Sequence, residues 1–316
     1  MPSCPTQDSS SATAVSAQNT AGRVSVVIAT YEAGRYLGSA VKSVLAQTRP
    51  VYEIHVVDDG STDNTQQVMS QFAGEPRVHF HRQTNQGQAH AKNVGIRASS
   101  GDFIAFLDAD DLWTPDKIAV QLPRFDTDPQ VGVIYTDFAY IDEQGALLET
   151  PKRDYYSGWI SGRLLVDNFV NGMSSIVRRE CFESEGLFDE SLSMGIDYDL
   201  WLRLSARYQF LFIDRITYLY RKWPGQMSRR REERMDCAIR IMKKFLAMHP
   251  GLVDKRTIDE AWAHTYVTRG RVAQSVGRPW HAIRDYLRAL AYSPGYLLAW
   301  KAVVKLALPR VHDRGR

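Results

Sequence analysis

Five aspartates at the ends of two short apolar runs are the residues best placed to do chemistry. The first run, residues 53–57, leads into Asp58 and Asp59 and on to Gly60-Ser61-Thr62-Asp63. The second, residues 103–107, leads straight into Asp108, Asp110 and Asp111 of a D-A-D-D sequence. Carboxylates placed this way arrive at the end of a strand, not inside a sheet. Three like charges so close repel unless a cation offsets them. Oxygen donors suit Mg²⁺ or Mn²⁺, which keep positions open for substrate phosphates. A phosphate-bearing substrate is one reading. The plain alternative is an acidic loop in which Asp111 caps the next helix, and so short a motif leaves both open.

Other phosphate-binding devices are absent from the chain. It has no G-x-x-x-x-G-K-[ST] loop, and no G-x-G-x-x-G follows its first apolar run. That run, residues 24–29, opens instead into Thr30-Tyr31-Glu32-Ala33-Gly34, where Tyr31 offers an aromatic face to a base.

Such groups need a frame that gathers strand ends. Residues 24–29 (VSVVIA), 53–57 (EIHVV), 77–81 and 103–107 (FIAFL) read as strands, and residues 36–47, 62–72 and 88–99 as helices between them. Within 62–72, Ser61 or Thr62 is placed to cap the helix. Alternation of this kind predicts parallel strands with right-handed crossovers, a doubly wound α/β sheet with helices on both faces. In such sheets ligands bind beyond the carboxyl ends of the strands, where the aspartates lie. Further on, the pattern gives helices at 115–125, 158–166 and 198–206, strands at 131–140 and 173–178, and a strand pair at 210–221. Beyond Ser228 it is helical to Leu308. The expected division is a disordered leader (1–22), an α/β domain (23–228) and a helical extension (229–316).

Composition narrows the class. A formal net charge of +3 over 316 residues is too small to point to nucleic acid. Cys4, Cys181 and Cys237 lack metal-ligand or disulfide spacing, which suits a cytoplasmic protein. The Ser/Ala/Thr-rich leader has no basic and apolar stretches of a secretory signal, and no run of about 18 apolar residues spans a membrane. A basic cluster from Arg221 to Lys244 is either a solvated helix face or a surface for anionic lipid or donor phosphate. Residues 296–308, with Trp300 among apolar residues and lysines, could lie on the inner face of the plasma membrane as a peripheral contact.

Taken together, V-S-V-V-I-A-T-Y, V-V-D-D-G-S-T-D-N-T, N-Q-G-Q-A-H-A-K-N-V-G and F-L-D-A-D-D resemble the family 2 glycosyltransferases. The resemblance covers about residues 24–228 and implies a GT-A (Rossmann-like) fold with a mostly parallel central sheet. It also implies an inverting, metal-dependent transfer of a sugar from a nucleotide diphosphate-sugar to an acceptor hydroxyl. By that resemblance Thr30, Tyr31 and Asp59 hold the nucleoside, with Glu32 beside them. Lys92 and Asp108 lie near the donor and Asp110 binds the metal. In M-G-I-D-Y-D-L-W the family usually carries E-D, so Asp197 is the expected catalytic base and Asp199 the fallback, while Ile196 replaces a Glu. The alternative is that Asp197 merely caps its helix. Trp223 stands where the family has His, leaving Arg221 and Lys222 as candidate phosphate contacts. The acceptor implied is a glycan or lipid-linked glycan in cell-surface polysaccharide biosynthesis.

In the extension, Tyr266, Gly270, Ala282, Tyr286, Ala289 and Pro294 match one tetratricopeptide repeat, which is either a plain helical hairpin or a docking surface for a protein partner. Two rivals remain for the whole chain. One is a catalytically degenerate scaffold, favoured by Ile196 and Trp223. The other is a nucleotidyltransferase, which should carry a basic, glycine-rich first loop that residues 30–34 lack.

Overall fold

The computed structural model describes residues 22–307, apart from 151, 225 and 227–229. Most of the expected leader, Cys4 and the Ser228 boundary therefore lie outside the described residues.

The first half alternates strictly: β1 (Val24–Thr30), α1 (Gly34–Leu45), β2 (Glu53–Asp58), α2 (Thr65–Ser70), β3 (Val78–Arg82), α3 (Gln88–Ala98) and β4 (Phe103–Phe106). β1 and β2 are buried along almost their whole length, as strands covered on both faces are. In α1 the buried residues Tyr36, Leu37, Ala40, Val41 and Val44 recur at helical spacing and form one stripe against it. β1 pairs in parallel with β2 and β4, and β2 with β3, giving the order β3-β2-β1-β4. The chain winds outward from β1 to β3 and then crosses to β4 on the other side. The crevice between the ends of β1 and β4 is thus the switch point where ligands bind.

The second half extends the same sheet through β5 (Leu112–Trp113), β6 (Val131–Ile141), β7 (Leu147–Leu148), β8 (Ile176–Arg178) and β9 (Gln209–Arg221). Its helices are α4 (Lys117–Gln121), α5 (Ser161–Val166), α6 (Arg179–Glu185) and α7 (Ile196–Ser205). β8 runs antiparallel to both β4 and β6, while β9 runs parallel to β6. Where the sequence predicts a strand pair at 210–221 there is one long strand. Thr136 pairs with Ile213 but Asp137 with Ile216, so Asp214 and Arg215 bulge out into solvent and the strand bends without reversing.

Four helices complete the chain: α8 (Arg231–Met248), α9 (Lys255–Ser275), α10 (Pro279–Tyr292) and α11 (Leu297–Ala307). α8 and the start of α9 place Ile241, Met242, Phe245 and Trp262 in the same continuous core as the sheet. α9, α10 and α11 share two small clusters of their own. In the α9–α10 hairpin Tyr286 lies directly on Gly270, where an added Cβ would come within 2.4 Å of its ring. Among the described residues no helix is long and apolar enough to cross a membrane.

Candidate active site

The β1–β2 side of the crevice is built by turns. Gly60, at φ 85°, lets the chain leave β2 at once, which few side chains permit. Ser61 and Thr62 do not cap α2, as the sequence suggests. Ser61 Oγ accepts the Glu32 N–H at 2.9 Å, and the Glu32 carboxylate takes both the N–H and hydroxyl of Thr62. Glu32 therefore ties the β1 loop to the β2 loop. Tyr31 next to it is 54% exposed, and the Thr30 hydroxyl is buried without a hydrogen-bond partner among the described residues. Asp59 is buried and faces the 83–87 loop. It accepts Gln83 Nε2 and the N–H groups of Gln86 and Gly87, each at 2.8 Å.

The three carboxylates after β4 have different surroundings. Lys92 of α3, itself buried, donates from Nζ to Asp108 Oδ1 at 3.1 Å, and Gln88 Nε2 approaches the same oxygen at 3.3 Å. Asp108 Oδ2 has no hydrogen-bond partner among the described residues. Asp110 accepts the Trp223 indole N–H at 2.7 Å. Burial, and then the charge of Asp108, pushes the Asp110 carboxyl above its ordinary range. Asp111 does not cap a helix. It is fully buried, accepting the Tyr218 hydroxyl and, at 2.7 Å, the Arg221 N–H, and so fixes the end of β9 to this loop. Burial, then Asp110 and Asp108, drives its carboxyl well up. Oxygen donors crowded in this way fit a hard divalent cation, with Asp108 and Asp110 as the groups to hold it.

Arg221 is buried, and its guanidinium donates to the carbonyls of Asp110, Asp142 and Glu143 at 2.7–3.0 Å while stacking on Tyr36 at 4.8 Å. Lys222 beside it is exposed and rests 3.7 Å above the Tyr140 ring.

Asp197 and Asp199 separate clearly. Asp197 lies in the first turn of α7 but makes no capping bond, and it has no hydrogen-bond or ion-pair partner among the described residues. It faces the short 3-10 turn Gly172–Ser174, with its Cβ 3.6 Å from where a Cβ on Gly172 would stand. That turn is joined to the acidic loop because Trp113 Nε1 donates to the Met173 carbonyl at 3.3 Å. Asp199 is buried between Arg203 at 2.9 Å and Lys244 of α8 at 2.8 Å. Ile196, at the position of the expected acid, packs into the core.

A further group of ligand type, Glu53, His55 and His79, occupies the opposite end of β2. Glu53 is five positions along β2 from Asp58, or roughly 16 Å at about 3.3 Å per residue, and His55 is three, while His79 lies on β3.

This arrangement, with acidic groups beyond β2 and β4 at a switch point and a second, partly antiparallel sheet half carrying α7, is that of a GT-A fold protein. The glycosyl transferase family 2 model matches residues 25–183, and the chain belongs to that family. It is 33% identical to an Escherichia coli chondroitin synthase over 198 residues, 62% of this chain and 28% of that one. The chain spans about a third or less of the length of the first curated relatives it matches. Among solved structures it is similar to S. aureus TarS 1-349 in complex with UDP-GlcNAc, with a TM-score of 0.68 and 17% identity over 86% of this chain and 82% of that one. It is also similar to the mannosyltransferase PcManGT of Pyrobaculum calidifontis in complex with GDP-Man and Mn²⁺ (TM-score 0.55, 18% identity, 90% and 87% covered).

Sequence reasoning missed the buried role of Asp111 and the bond from Trp223 to Asp110. The D-A-D-D run gave no sign of which acid is buried, because that depends on β9 arriving from more than a hundred residues away.

Proposed function

We propose that the chain is an inverting glycosyltransferase that moves a sugar from a nucleoside diphosphate-sugar to an acceptor hydroxyl with a divalent metal. The observation that carries this reading is the unpartnered Asp197, coupled through the Gly172–Ser174 turn to the loop of Asp108 and Asp110. Tyr31 and Thr30 receive the nucleoside, and Asp59 shapes that pocket by holding the N–H groups of Gln86 and Gly87. Lys92 fixes Asp108 beside the donor sugar. Glu32 and Arg221 brace the loops around it. Mg²⁺ or Mn²⁺ on Asp110, with Asp108, would act as a Lewis acid on the diphosphate leaving group. The Mn²⁺ and GDP-Man of the Pyrobaculum enzyme and the UDP-GlcNAc of TarS support both expectations.

In the transfer step Asp197 accepts the acceptor hydroxyl proton as that oxygen attacks the anomeric carbon. The bond from that carbon to the diphosphate oxygen breaks, its electron pair leaves with the nucleoside diphosphate, and the configuration inverts. The acceptor is read as a glycan or lipid-linked glycan in surface polysaccharide synthesis, a reading that the likeness to a chondroitin synthase supports. The setting is the cytoplasm, with 296–308 as a membrane or protein contact.

The test is nucleotide release and transfer across UDP-, GDP- and dTDP-sugars with Mn²⁺, Mg²⁺ or EDTA. Metal-dependent release of one nucleoside diphosphate is expected, and its loss in Asp110→Ala. Tight nucleotide binding without release, even with lipid-linked acceptors, would instead favour the non-catalytic scaffold for which Ile196 and Trp223 speak.

A further inference from the structure

A cavity of about 1120 Å³ lies between the sheet and the helical extension. Its inner wall includes Trp223, which holds Asp110, and Gly195, two residues before Asp197. It therefore borders both halves of the reaction site through these two neighbours of Asp110 and Asp197, which do not themselves line it. Arg153 and Lys222 line it from the sheet side, Arg231 and Arg234 from α8, and Arg271 from α9. Asp167 is the one carboxylate among its described lining residues.

These five cations have no carboxylate within ion-pairing distance among the described residues. Two other cations on the same helices are neutralised, Lys244 by Asp189 and Asp199 and Arg269 by Asp285 and Asp236, whereas Arg240 and Lys243 on the outer side of α8 have no carboxylate partner among the described residues either. On the sheet side Arg153 lies over Phe138 at 4.7 Å and donates to the Tyr140 hydroxyl at 3.0 Å, while Lys222 lies over Tyr140. The aromatic floor holds both cations at the cavity without cancelling their charge. A concave site lined by one sign of charge focuses its field on whatever enters. Guanidinium groups match the oxygens of phosphate or carboxylate in pairs.

We propose that this cavity is the outer half of the acceptor site, and that it takes a glycan bearing phosphate or carboxylate groups beside the reacting hydroxyl. α8 and α9 are then part of the substrate site and not only a support. The proposal rests on the transferase reading, since the crevice supplies the chemistry at that hydroxyl. A bilayer surface fits less well than a soluble anionic segment, because the cations, although exposed, are spread over two facing parts of the fold that wall one cavity.

The test is isothermal titration of the full chain loaded with whichever nucleoside diphosphate it binds, using tripolyphosphate and trigalacturonate as separate probes. At least one should bind, and the preferred one tells phosphate from carboxylate. Arg234→Ala with Arg271→Ala should weaken it about tenfold or more, with nucleotide affinity and melting temperature unchanged. Arg240→Ala with Lys243→Ala, exposed on α8 outside the cavity, should leave it as it was. No binding of either probe to the nucleotide-loaded chain, or equal loss in both variant pairs, overturns the proposal. A parallel loss of nucleotide affinity would assign the arginines to the donor and also overturn it. So would binding only to phosphatidylcholine vesicles doped with phosphatidic acid. Failure to bind any nucleoside diphosphate sinks the transferase reading itself, a separate result from failure of the anion probes alone.

Discussion

Asp197 and Asp199 stand two residues apart on α7, yet one has no partner among the described residues and the other is held between two cations. A general base must have a lone pair to spare for the acceptor proton, and typically contributes about 10²- to 10⁴-fold. Asp197→Asn should therefore lower transfer by about 10²- to 10⁴-fold while nucleotide affinity and folding stability stay put. Asp199→Ala removes one member of a buried charge cluster and should cost about 3–5 kcal/mol of stability, read from chemical denaturation. An Asp197→Asn enzyme with normal turnover would remove that residue from the mechanism. The acidic pattern in M-G-I-D-Y-D-L-W marks both aspartates as candidates. Arg203 one turn along α7 and Lys244 from α8 together separate them.

At the level of elements, two contacts test how tightly the sheet is packed. Gly132, at the start of β6, is wedged where a Cβ would meet Cys181 Sγ and Tyr208 Cβ at 2.7 Å. Neither neighbour is a flexible side-chain tip, so Gly132→Ala should overpack this corner and lower stability by about 1–3 kcal/mol, seen as a lower melting temperature. Between β2 and β3 the rings of His55, His79 and His81 stack, with centroids 4.9–5.3 Å apart. Burial pushes the His55 imidazole below its ordinary 6.5, more than Glu53 restores, and burial and His79 do the same to His81. Burial alone would raise the Glu53 carboxyl. Hydrogen bonds from Ser25 and the Ser100 N–H, with His55 beside it, hold it down at about 2.

The sign is the same for both kinds of group. A base with a depressed folded pKa stabilises above its unfolded value, and that stability is lost as pH falls through the folded one; a depressed acid behaves likewise. Melting temperature should thus decline as pH drops below 6.5, and again between 4.5 and about 2. In His55→Gln the first decline should shrink, and an unchanged profile would show that these rings do not govern it.

For the molecule as a whole, the division at 228 is a boundary of sequence pattern, whereas the apolar core runs across it. Phe245, Met242 and Ile241 of α8 are buried with the residues of the sheet. Phe245→Ala should therefore cost about 3–5 kcal/mol and shift a single unfolding transition common to sheet and helices, measured by calorimetry. Two separate transitions, with only the later one altered, would mean that the extension folds as an independent unit. The α9–α10 hairpin was legible from Gly270 and Tyr286, because that pair is a local contact between successive helices.

The sequence by itself determined the strand–helix alternation of the first half, the delivery of Asp58, Asp59, Asp108 and Asp110 to strand ends, and the family. These are properties of runs of ten or twenty residues, in which buried strands and amphipathic helices follow directly from hydrophobic spacing. The tertiary structure decided which carboxylates are spent. Asp111 goes to Tyr218 and Arg221, Asp199 to Arg203 and Lys244, and Glu32 to Thr62, so each forms internal bonds that a motif cannot reveal. It also decided that three exposed basic residues of α8 and α9, Arg231, Arg234 and Arg271, border one cavity together with Trp223, the partner of Asp110. The physical reason is range: a side chain's free lone pair or unpaired charge depends on what packs against it, and for Glu32, Asp199 and Asp111 that includes partners 30, 45 and 107 residues away.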